Sequence, residues 1–371
     1  MIDRISFFDE FECLKGECPV ACCHGWKVPI DPESVLRYRK EKGKLGLKLR
    51  LAMKKEGEFS VFNPLAFRCR FYTKDGLCGL QMQKGESYIP GICRRFPRRM
   101  KNYGYFAEES LELACPMAAG LFLRHRDDLL YHETDEIPSY SDTSENNDRD
   151  YLFSARKCRN QLIARLQQIS PIELFPFIRR MQKYAKAIEI ACVNDGILEK
   201  PADPGSVNFD EIVLTVEESH KAARFLFSAL DTDQLMCHGI YHVALKRRLP
   251  LFYQICLRYF EQFDELTIED ADSHLEELFR KYRAAHPDID ALLRDYLIYY
   301  LQNHFLQVYE DYSYLRMLSL AALHVHFLFL FFCLYEPGDE NDIAVMIATY
   351  ERHMHHNDDV LEELWKIMPK S

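Results

Sequence analysis

The chain has 371 residues, a formal net charge of -10 and 48% hydrophobic residues, among them 25 Phe and 21 Tyr. This composition predicts a folded globular protein with a substantial core, and the length suits two domains. The acidic balance argues against a broad nucleic-acid-binding face, since phosphate neutralisation needs clustered Lys and Arg, and it suits a basic partner such as a lysine-bearing surface.

Charged residues occur early in the chain, at Asp3, Arg4, Asp9 and Glu10, and they interrupt any apolar core of a secretory signal. We therefore expect a cytoplasmic protein whose thiols stay reduced. Of the 13 cysteines, eight lie in the first third: Cys13, Cys18, Cys22, Cys23, Cys69, Cys78, Cys93 and Cys115. In a reducing compartment, so dense a set predicts metal binding or catalysis rather than disulfides.

The first cysteine segment reads FECLKGECPVACCHGW over residues 11–26 and places three sulfurs between Cys18 and Cys23. Such spacing predicts a tight irregular loop. Asp31-Pro32-Glu33 then has the composition of a helix N-terminus, and the helix is expected to run to about Arg50 with a break at Gly43 or Gly46.

The second cysteine segment, residues 67–98, contains Lys74-Asp75-Gly76 between two short apolar stretches. Asp-Gly at this position predicts a small hairpin that places Cys69 and Cys78 side by side. Cys93 follows a Pro-Gly turn, and Cys115-Pro116 begins a helix expected over 117–126.

Residues 132–150 are polar and acidic, without apolar periodicity, and are interpreted as a linker. From Tyr151 onward, apolar residues recur at three- and four-residue steps, which predicts helices near 151–169, 172–193, 209–230, 233–247, 250–265, 268–284 and 288–309. The chain is therefore expected to be mainly α: an irregular cysteine-rich metal-binding N-terminal domain with a small hairpin (1–131), packed through the linker on a helical domain (151–371).

The apolar run 315–335 is long enough to span a bilayer. It contains Arg316, His324 and His326, which are costly in lipid, and both of its flanks are acidic. A buried central helix is the favoured interpretation, so no membrane partner is expected.

The cysteine set permits two kinds of centre. Zinc takes four nitrogen or sulfur ligands in a closed tetrahedron, and iron–sulfur clusters commonly take four thiolates. From spacing alone, a structural metal site and a functional cluster are equally supported. No Gly-x-Gly-x-x-Gly loop for a dinucleotide or adenosylmethionine occurs.

Other polar motifs have a functional and an ordinary interpretation. The basic run that includes Arg94, Arg95 and Arg98 could balance a cluster's charge or hold a carboxylate, or it could form a solvated face. Glu108, Glu109 and Glu112 could receive a lysine ammonium, although facing water is commoner. The histidines His353, His355 and His356 of the motif RHMHH could ligate a metal, but on an exposed terminal helix they are expected to be solvated.

Three stretches together resemble the flagellin lysine N-methylase family, within a wider group of cysteine-rich zinc- and iron-chelating proteins. They read CLKGECPVACCHGWKVPID, CRFYTKDGLCGLQMQKGESYIPGICRRFPR and LELACPMAAGL. The tyrosine-rich stretch 295–314 also resembles that family's C-terminal region. The family pattern ends its third motif with C-P-E-A-A-R, and this chain has Met117 and Gly120 at the two variant positions.

The resemblance implies an enzyme that methylates lysine side chains of flagellin, or of another lysine-bearing protein, with S-adenosylmethionine and a thiolate-bound [4Fe-4S] cluster. It implies that N-terminal cysteines supply the ligands but does not say which four. All eight are therefore candidates, with Cys18, Cys22, Cys23 and Cys93 favoured for their proximity to the aromatic and arginine residues. Zinc is the alternative metal, and a non-enzymatic zinc- or iron-binding module is the alternative function.

The reaction itself indicates further candidates. A lysine amine, with a pKa near about 10.4, must lose a proton before it attacks a methyl group, so a carboxylate or tyrosinate is needed. Tyr296, Tyr299 and Glu109 are the catalytic candidates. Aromatic faces suit a cationic sulfonium donor, so Trp26 joins the three arginines Arg94, Arg95 and Arg98 as a cofactor-binding candidate.

Overall fold

Helices dominate the chain, and the strands are concentrated in its first third. The computed structural model describes residues 1–24, 27–63, 68–136, 149–194, 197–198, 207–214, 250–263, 265–311 and 313–356. The strands are β1 (Ile2–Ile5), β2 (Val28–Ile30), β3 (Met53–Glu56), β4 (Phe59–Phe62), β5 (Arg98–Asn102), β6 (Ala107–Leu111), β7 (Tyr131–Thr134), β8 (Val193–Asn194) and β9 (Ile197–Leu198). The α-helices are α1 (Pro32–Lys40), α2 (Gly43–Ala52), α3 (Gly79–Lys84), α4 (Gly91–Arg95), α5 (Pro116–Arg124), α6 (Arg149–Gln168), α7 (Leu174–Cys192), α8 (Pro250–Phe263), α9 (Ile268–Ala285), α10 (Ile289–His304), α11 (Val308–Asp311), α12 (Tyr314–Tyr335) and α13 (Glu340–Tyr350).

A four-stranded sheet with the order β5-β6-β1-β7 joins distant parts of the first third. Its central strand β6 is buried along its whole length although it contains two glutamates. Glu108 pairs with Arg159 of α6 at 2.7 Å, and Glu109 pairs with Arg4 at 2.7 Å. The expectation that these glutamates face water is therefore wrong, because arginines on a helix and on a neighbouring strand neutralise them inside the fold.

A smaller, three-stranded sheet (β2-β4-β3) packs with α1 and α2 around a hydrophobic core of its own. This small core consists of Val28, Ile30, Val35, Tyr38, Leu49, Ala52, Phe62, Phe71, Leu80 and Ile89. The four-stranded sheet instead contributes Ile5 and Leu111 to the large core that the helices build. The division between hydrophobic cores thus falls inside the N-terminal region.

The predicted helices occur where the apolar periodicity placed them. The segments near 151–169, 172–193, 250–265, 268–284 and 288–309 contain α6 to α10. The helix after Asp31 breaks between α1 and α2, where Gly43 has a left-handed φ of 68° that glycine adopts readily. The segments 209–230 and 233–247 lie largely outside the described residues, as does most of the expected linker, whose first residues belong to β7.

The apolar helix α12 lies in the middle of the large core. Within the described part of the chain it is the one helix long and apolar enough to cross a membrane, and its most apolar 18-residue window is completely buried in the fold. It packs against α7, α8, α9 and α10. The interpretation of 315–335 as a buried central helix is therefore confirmed.

Two buried histidines make the stability of this core sensitive to acid. Burial lowers the pKa of His326 to about 4 and that of His353 to about 3. At pH values between these folded-state pKa values and the unfolded-state pKa of about 6.5, the two histidines bind protons only in the unfolded chain. The free energy of unfolding should therefore fall on acidification below about pH 6.5, by up to about 1.4 kcal/mol per pH unit for each histidine.

Urea unfolding at a series of pH values measures this loss. His353→Gln should reduce the steepness of the decline, whereas His132→Gln, at an exposed position, should leave it unchanged. A decline equally steep in the His353→Gln variant would show that other groups cause the acid sensitivity.

Candidate thiol-lined site

All eight N-terminal cysteines line one cavity of about 570 Å³, which we call the thiol pocket. Each of these cysteines lies outside any disulfide. The pocket lies between the two hydrophobic cores: Phe71 and Leu80 of the small core line it from one side, and Phe11 of the large core lines it from the other. The two cysteine segments, although far apart in sequence, thus meet at one site.

Arg352 holds the loop that carries Cys18, Cys22 and Cys23. This side chain is only 2% exposed. Its guanidinium donates hydrogen bonds to the carbonyls of Val20, Ala21 and His24 at 3.1, 2.7 and 3.3 Å. It also donates to the carbonyl of Ala114, next to Cys115, at 3.0 Å. A residue near the end of the described chain therefore fixes the shape of a loop near its beginning.

The predicted hairpin places Cys69 and Cys78 in the pocket wall. An antiparallel bridge joins Tyr72 to Cys78. Gly76 takes a positive φ of 75° in the turn, and a Cβ there would lie 2.9 Å from the carbonyl oxygen of Gly16. The turn consequently needs glycine both for its conformation and for close contact with the loop that follows Cys13.

Cys93 and Cys115 are positioned by the N-terminal ends of two helices, α4 and α5. Asp31 accepts hydrogen bonds from the N–H of Ser34, which caps α1 as predicted, and from the N–H of Gly91, both at 2.8 Å. The same carboxylate therefore anchors α4, which carries Cys93. Cys115 directly precedes Pro116 at the start of α5, as predicted, so its sulfur lies at the positive end of the helix dipole.

Five of the sulfurs influence one another electrostatically, and we call Cys22, Cys23, Cys69, Cys78 and Cys93 the inner set. Burial raises the pKa of Cys93, and negative charge on Cys22, Cys69 and Cys78 raises that pKa further. Burial likewise raises the pKa of Cys69, with Cys78 and Cys22 adding to the shift. Since such effects require proximity, the inner set forms one group.

The remaining three, Cys13, Cys18 and Cys115, form the outer set. Burial raises the pKa of Cys115 to about 11, and charge on Cys18 and Cys13 adds to the shift. Cys22 connects the sets, because its charge also raises the pKa of Cys18. A hydrogen bond from the Cys23 thiol lowers the pKa of Cys22 to about 7; burial opposes this shift and the charge of Arg352 adds to it.

The predicted cofactor-binding residues differ in their relation to the pocket. Arg94 and Arg98 are among the residues that line it, whereas Arg95 is not. Arg98 also donates to the carbonyl of Phe11 at 3.2 Å, and its guanidinium lies 5.0 Å from the Phe11 ring centre. Trp26 lies outside the described residues. Cofactor binding by these residues stays a prediction.

The predicted catalytic residues have hydrogen-bond or ion-pair partners elsewhere in the fold. Tyr296 donates to Glu351, and Tyr299 donates to the carbonyl of Leu111; both tyrosines are buried. The carboxylate of Glu109 forms an ion pair with Arg4 in the sheet. None of these three residues is among those that line the thiol pocket. The carboxylate beside Tyr296 is Glu351, which the sequence did not single out.

The sequence analysis missed two further residues, Arg352, which holds the loop of Cys18–Cys23, and Glu86, which lines the pocket. Arg352 belongs to the motif RHMHH, but no local pattern indicates that it reaches Val20. Glu86 is the carboxylate among the pocket-lining residues, with Lys15 and two arginines also at the wall. Glu86 lies shortly before the Pro-Gly turn at residues 90–91. An acidic residue so close to this turn was the one sequence signal that could have indicated it.

The fold and the pocket define a mainly helical protein with a thiol-lined cavity at the junction of two cores. The sequence model of one family, described as the FliB lysine N-methylase C-terminal domain, matches residues 206–371. This is the same family that the sequence motifs resemble, and the match covers less than half of the chain. Arg352 lies within the matched domain.

Curated relatives match over shorter stretches. The flagellar biosynthetic protein FliU of Salmonella muenchen is 27% identical over 144 residues, which cover 37% of this chain and 85% of that protein. A lysine-N-methylase of Salmonella typhimurium and one of Salmonella choleraesuis are each 28% identical over 136 residues. Those matches cover 34% of this chain and 34% of each enzyme's length. No solved structure matches the chain.

Proposed function

We propose that this protein transfers methyl groups from S-adenosylmethionine to lysine side chains of another protein, with flagellin as the first candidate, and that the thiol pocket holds a [4Fe-4S] cluster. The observation that carries the proposal is the convergence of all eight N-terminal cysteines on one cavity in a chain that carries a lysine N-methylase domain.

The donor set fits an iron–sulfur cluster. Such clusters commonly take four thiolates, and the inner set offers five cysteines, outside any disulfide, in mutual proximity. A closed zinc tetrahedron leaves little space inside its ligands, whereas a cavity of about 570 Å³ has the size of a small-molecule site. We therefore assign the ligands to the inner set, which adds Cys69 and Cys78 to the favoured cysteines and leaves Cys18 in the outer set.

When bound, a cluster would present electron-rich sulfide and iron to a cationic sulfonium donor. The chain's own residues supply the surroundings. Phe11, Phe71 and Phe96 line the pocket with apolar surface that excludes water, and a drier site lowers the pKa of a lysine amine. Arg94 and Arg98 can pair with the carboxylate of the donor.

We assign Glu86 as the group that accepts the proton of the substrate lysine. It is the carboxylate among the residues that line the pocket, and it can attract the lysine ammonium before accepting its proton. Met117 also lines the pocket, at the position where the family pattern has glutamate. Gly120 instead faces Ala344 of α13. Of the two departures from the family pattern, Met117 is therefore the one that can alter the choice of substrate.

The test combines metal analysis with an assay of methyl transfer. Protein purified without oxygen should be brown and contain about four iron and four sulfide per cluster. With labelled S-adenosylmethionine it should methylate lysines of flagellin from the same organism, and Glu86→Gln should slow the transfer by about 100-fold.

Three outcomes would contradict parts of this proposal. Colourless protein that holds zinc alone would exclude the cluster. Unaltered transfer in the Glu86→Gln variant would remove Glu86 from the reaction. Cluster-loaded protein that binds metal tightly but methylates no lysine-bearing protein would favour the alternative, a metal-binding module.

A further inference from the structure

A second polar cluster lies at the end of α13, where the chain forms a π-helical turn over Glu351–His355. One ligand atom each from Glu351, His355 and His356 lies within 4.8 Å of the other two. We propose that these three residues, completed by His304 or His324, bind one divalent transition-metal ion at a site separate from the thiol pocket. Single π-helical turns of this kind frequently occur at functional sites.

The surrounding imidazoles provide an independent observation. The rings of His304 and His324 lie 4.3 and 5.0 Å from that of His355, centre to centre, and are only 3% and 1% exposed. Nδ1 of His304 and Nε2 of His324 are buried without a hydrogen-bond partner. A buried polar atom without a hydrogen-bond partner reduces the free energy of unfolding by about 1–3 kcal/mol. A metal ion between the rings would provide the missing partner.

The types of side chain in this cluster suit a transition metal, because imidazole nitrogens and carboxylates are its usual ligands. Glu351 supplies one negative charge. Three imidazoles with a carboxylate form a donor set for Zn²⁺, Fe²⁺ or Co²⁺, whereas Mg²⁺ and Ca²⁺ prefer oxygen ligands.

Hydrogen bonds around the cluster resemble the outer contacts of a metal site. Tyr296 donates to one oxygen of Glu351, and the other oxygen lies 3.0 Å from Nδ1 of His355. Glu112 lies 3.3 Å from Nε2 of His356 and 3.3 Å from Nε of Arg99. Carboxylates that orient ligating histidines are a regular feature of metal centres.

An ion can reach the cluster from solvent. The side chain of His356 keeps 29% of its exposure, and that of His355 keeps 10%. The histidines of RHMHH were expected to be solvated on a terminal helix. That expectation is wrong, because the π-helical turn directs His353 against Phe252, with ring centres 4.2 Å apart, and His355 against His304.

Co²⁺ provides the probe, since its visible spectrum reports the ligand type. The full-length protein is first stripped of metal with a chelator. Besides any metal bound by thiolates, it should then bind one equivalent of Co²⁺ that gives visible bands without thiolate-to-cobalt charge-transfer absorption. His356→Gln and His355→Gln should each weaken this thiolate-free binding at least about 100-fold, since losing even an outer contact costs about 10–100-fold. His132→Gln is the matched control, because His132 is an exposed histidine that pairs with Asp128.

Equal Co²⁺ affinity in His356→Gln and in the unsubstituted protein would overturn the proposal. If both variants fail to fold, the unsubstituted protein decides: Co²⁺ ligation by histidine shifts the exchangeable imidazole N–H proton resonances far outside the normal range, and their absence at one bound equivalent refutes the site. The measurement does not involve methyl transfer, so its failure would leave the proposed function untouched.

Discussion

Replacing Cys93 with serine should remove the iron–sulfur cluster proposed above and lower methyl transfer at least about 100-fold, because loss of an outer contact alone already costs about 10–100-fold. Cys93 lies on α4, close to three other sulfurs of the inner set, and we assign it as one of the ligands. Iron and sulfide content, visible absorption and the rate of lysine methylation measure the effect.

Two matched variants make the result specific. Cys13→Ser changes an exposed cysteine of the outer set and should retain iron and activity. Cys333→Ala changes a cysteine in the helical core and tests for general loss of stability. If Cys13→Ser abolishes the iron while Cys93→Ser retains it, the assignment of the cluster to the inner set is wrong.

Replacing Arg352 with glutamine should have the second large effect, although Arg352 ligates nothing. The change removes a buried guanidinium that serves four backbone carbonyls. Hydrogen bonds to a charged group contribute about 1.5–3 kcal/mol each, so we expect a loss of at least about 3 kcal/mol in unfolding free energy. The loop of Cys18–Cys23 should lose its shape, and bound iron should fall with it.

A positioning role has a spectroscopic signature that a purely structural role lacks. Any cluster that the Arg352→Gln variant retains should have a more negative reduction potential, because a positive charge near the pocket has been removed. Arg258→Gln is the control: Arg258 also donates to two carbonyls, those of Leu334 and Tyr335, at 2.6 and 3.2 Å. It should reduce stability without changing the potential, and an equal shift in both variants would contradict the assignment.

Local signals accounted for much of the fold. Apolar periodicity placed α6 to α10 and α12, and Asp31 and Cys115-Pro116 marked the helix starts at α1 and α5. The Asp75-Gly76 turn placed Cys69 and Cys78 near each other. Each of these features depends on neighbours within a few residues, which is why the sequence alone could indicate them.

Features that depend on distant partners were not accessible in this way. Strand β1 pairs in parallel with β6, about a hundred residues later, and the buried glutamates of β6 depend on Arg4 and Arg159. A glutamate that faces water and one that pairs inside a core look the same in sequence. The inward direction of His355 likewise follows from a π-helical turn that has no sequence signature.

The contact between Arg352 and the loop after Cys18 sets an order of events during synthesis. More than 300 residues must leave the ribosome before this arginine can reach the carbonyls of Val20 and Ala21. The loop that carries Cys18, Cys22 and Cys23 therefore leaves the ribosome before the side chain that fixes its shape. For the cluster proposed above, this order predicts that chains truncated before residue 352 emerge from cells without bound iron.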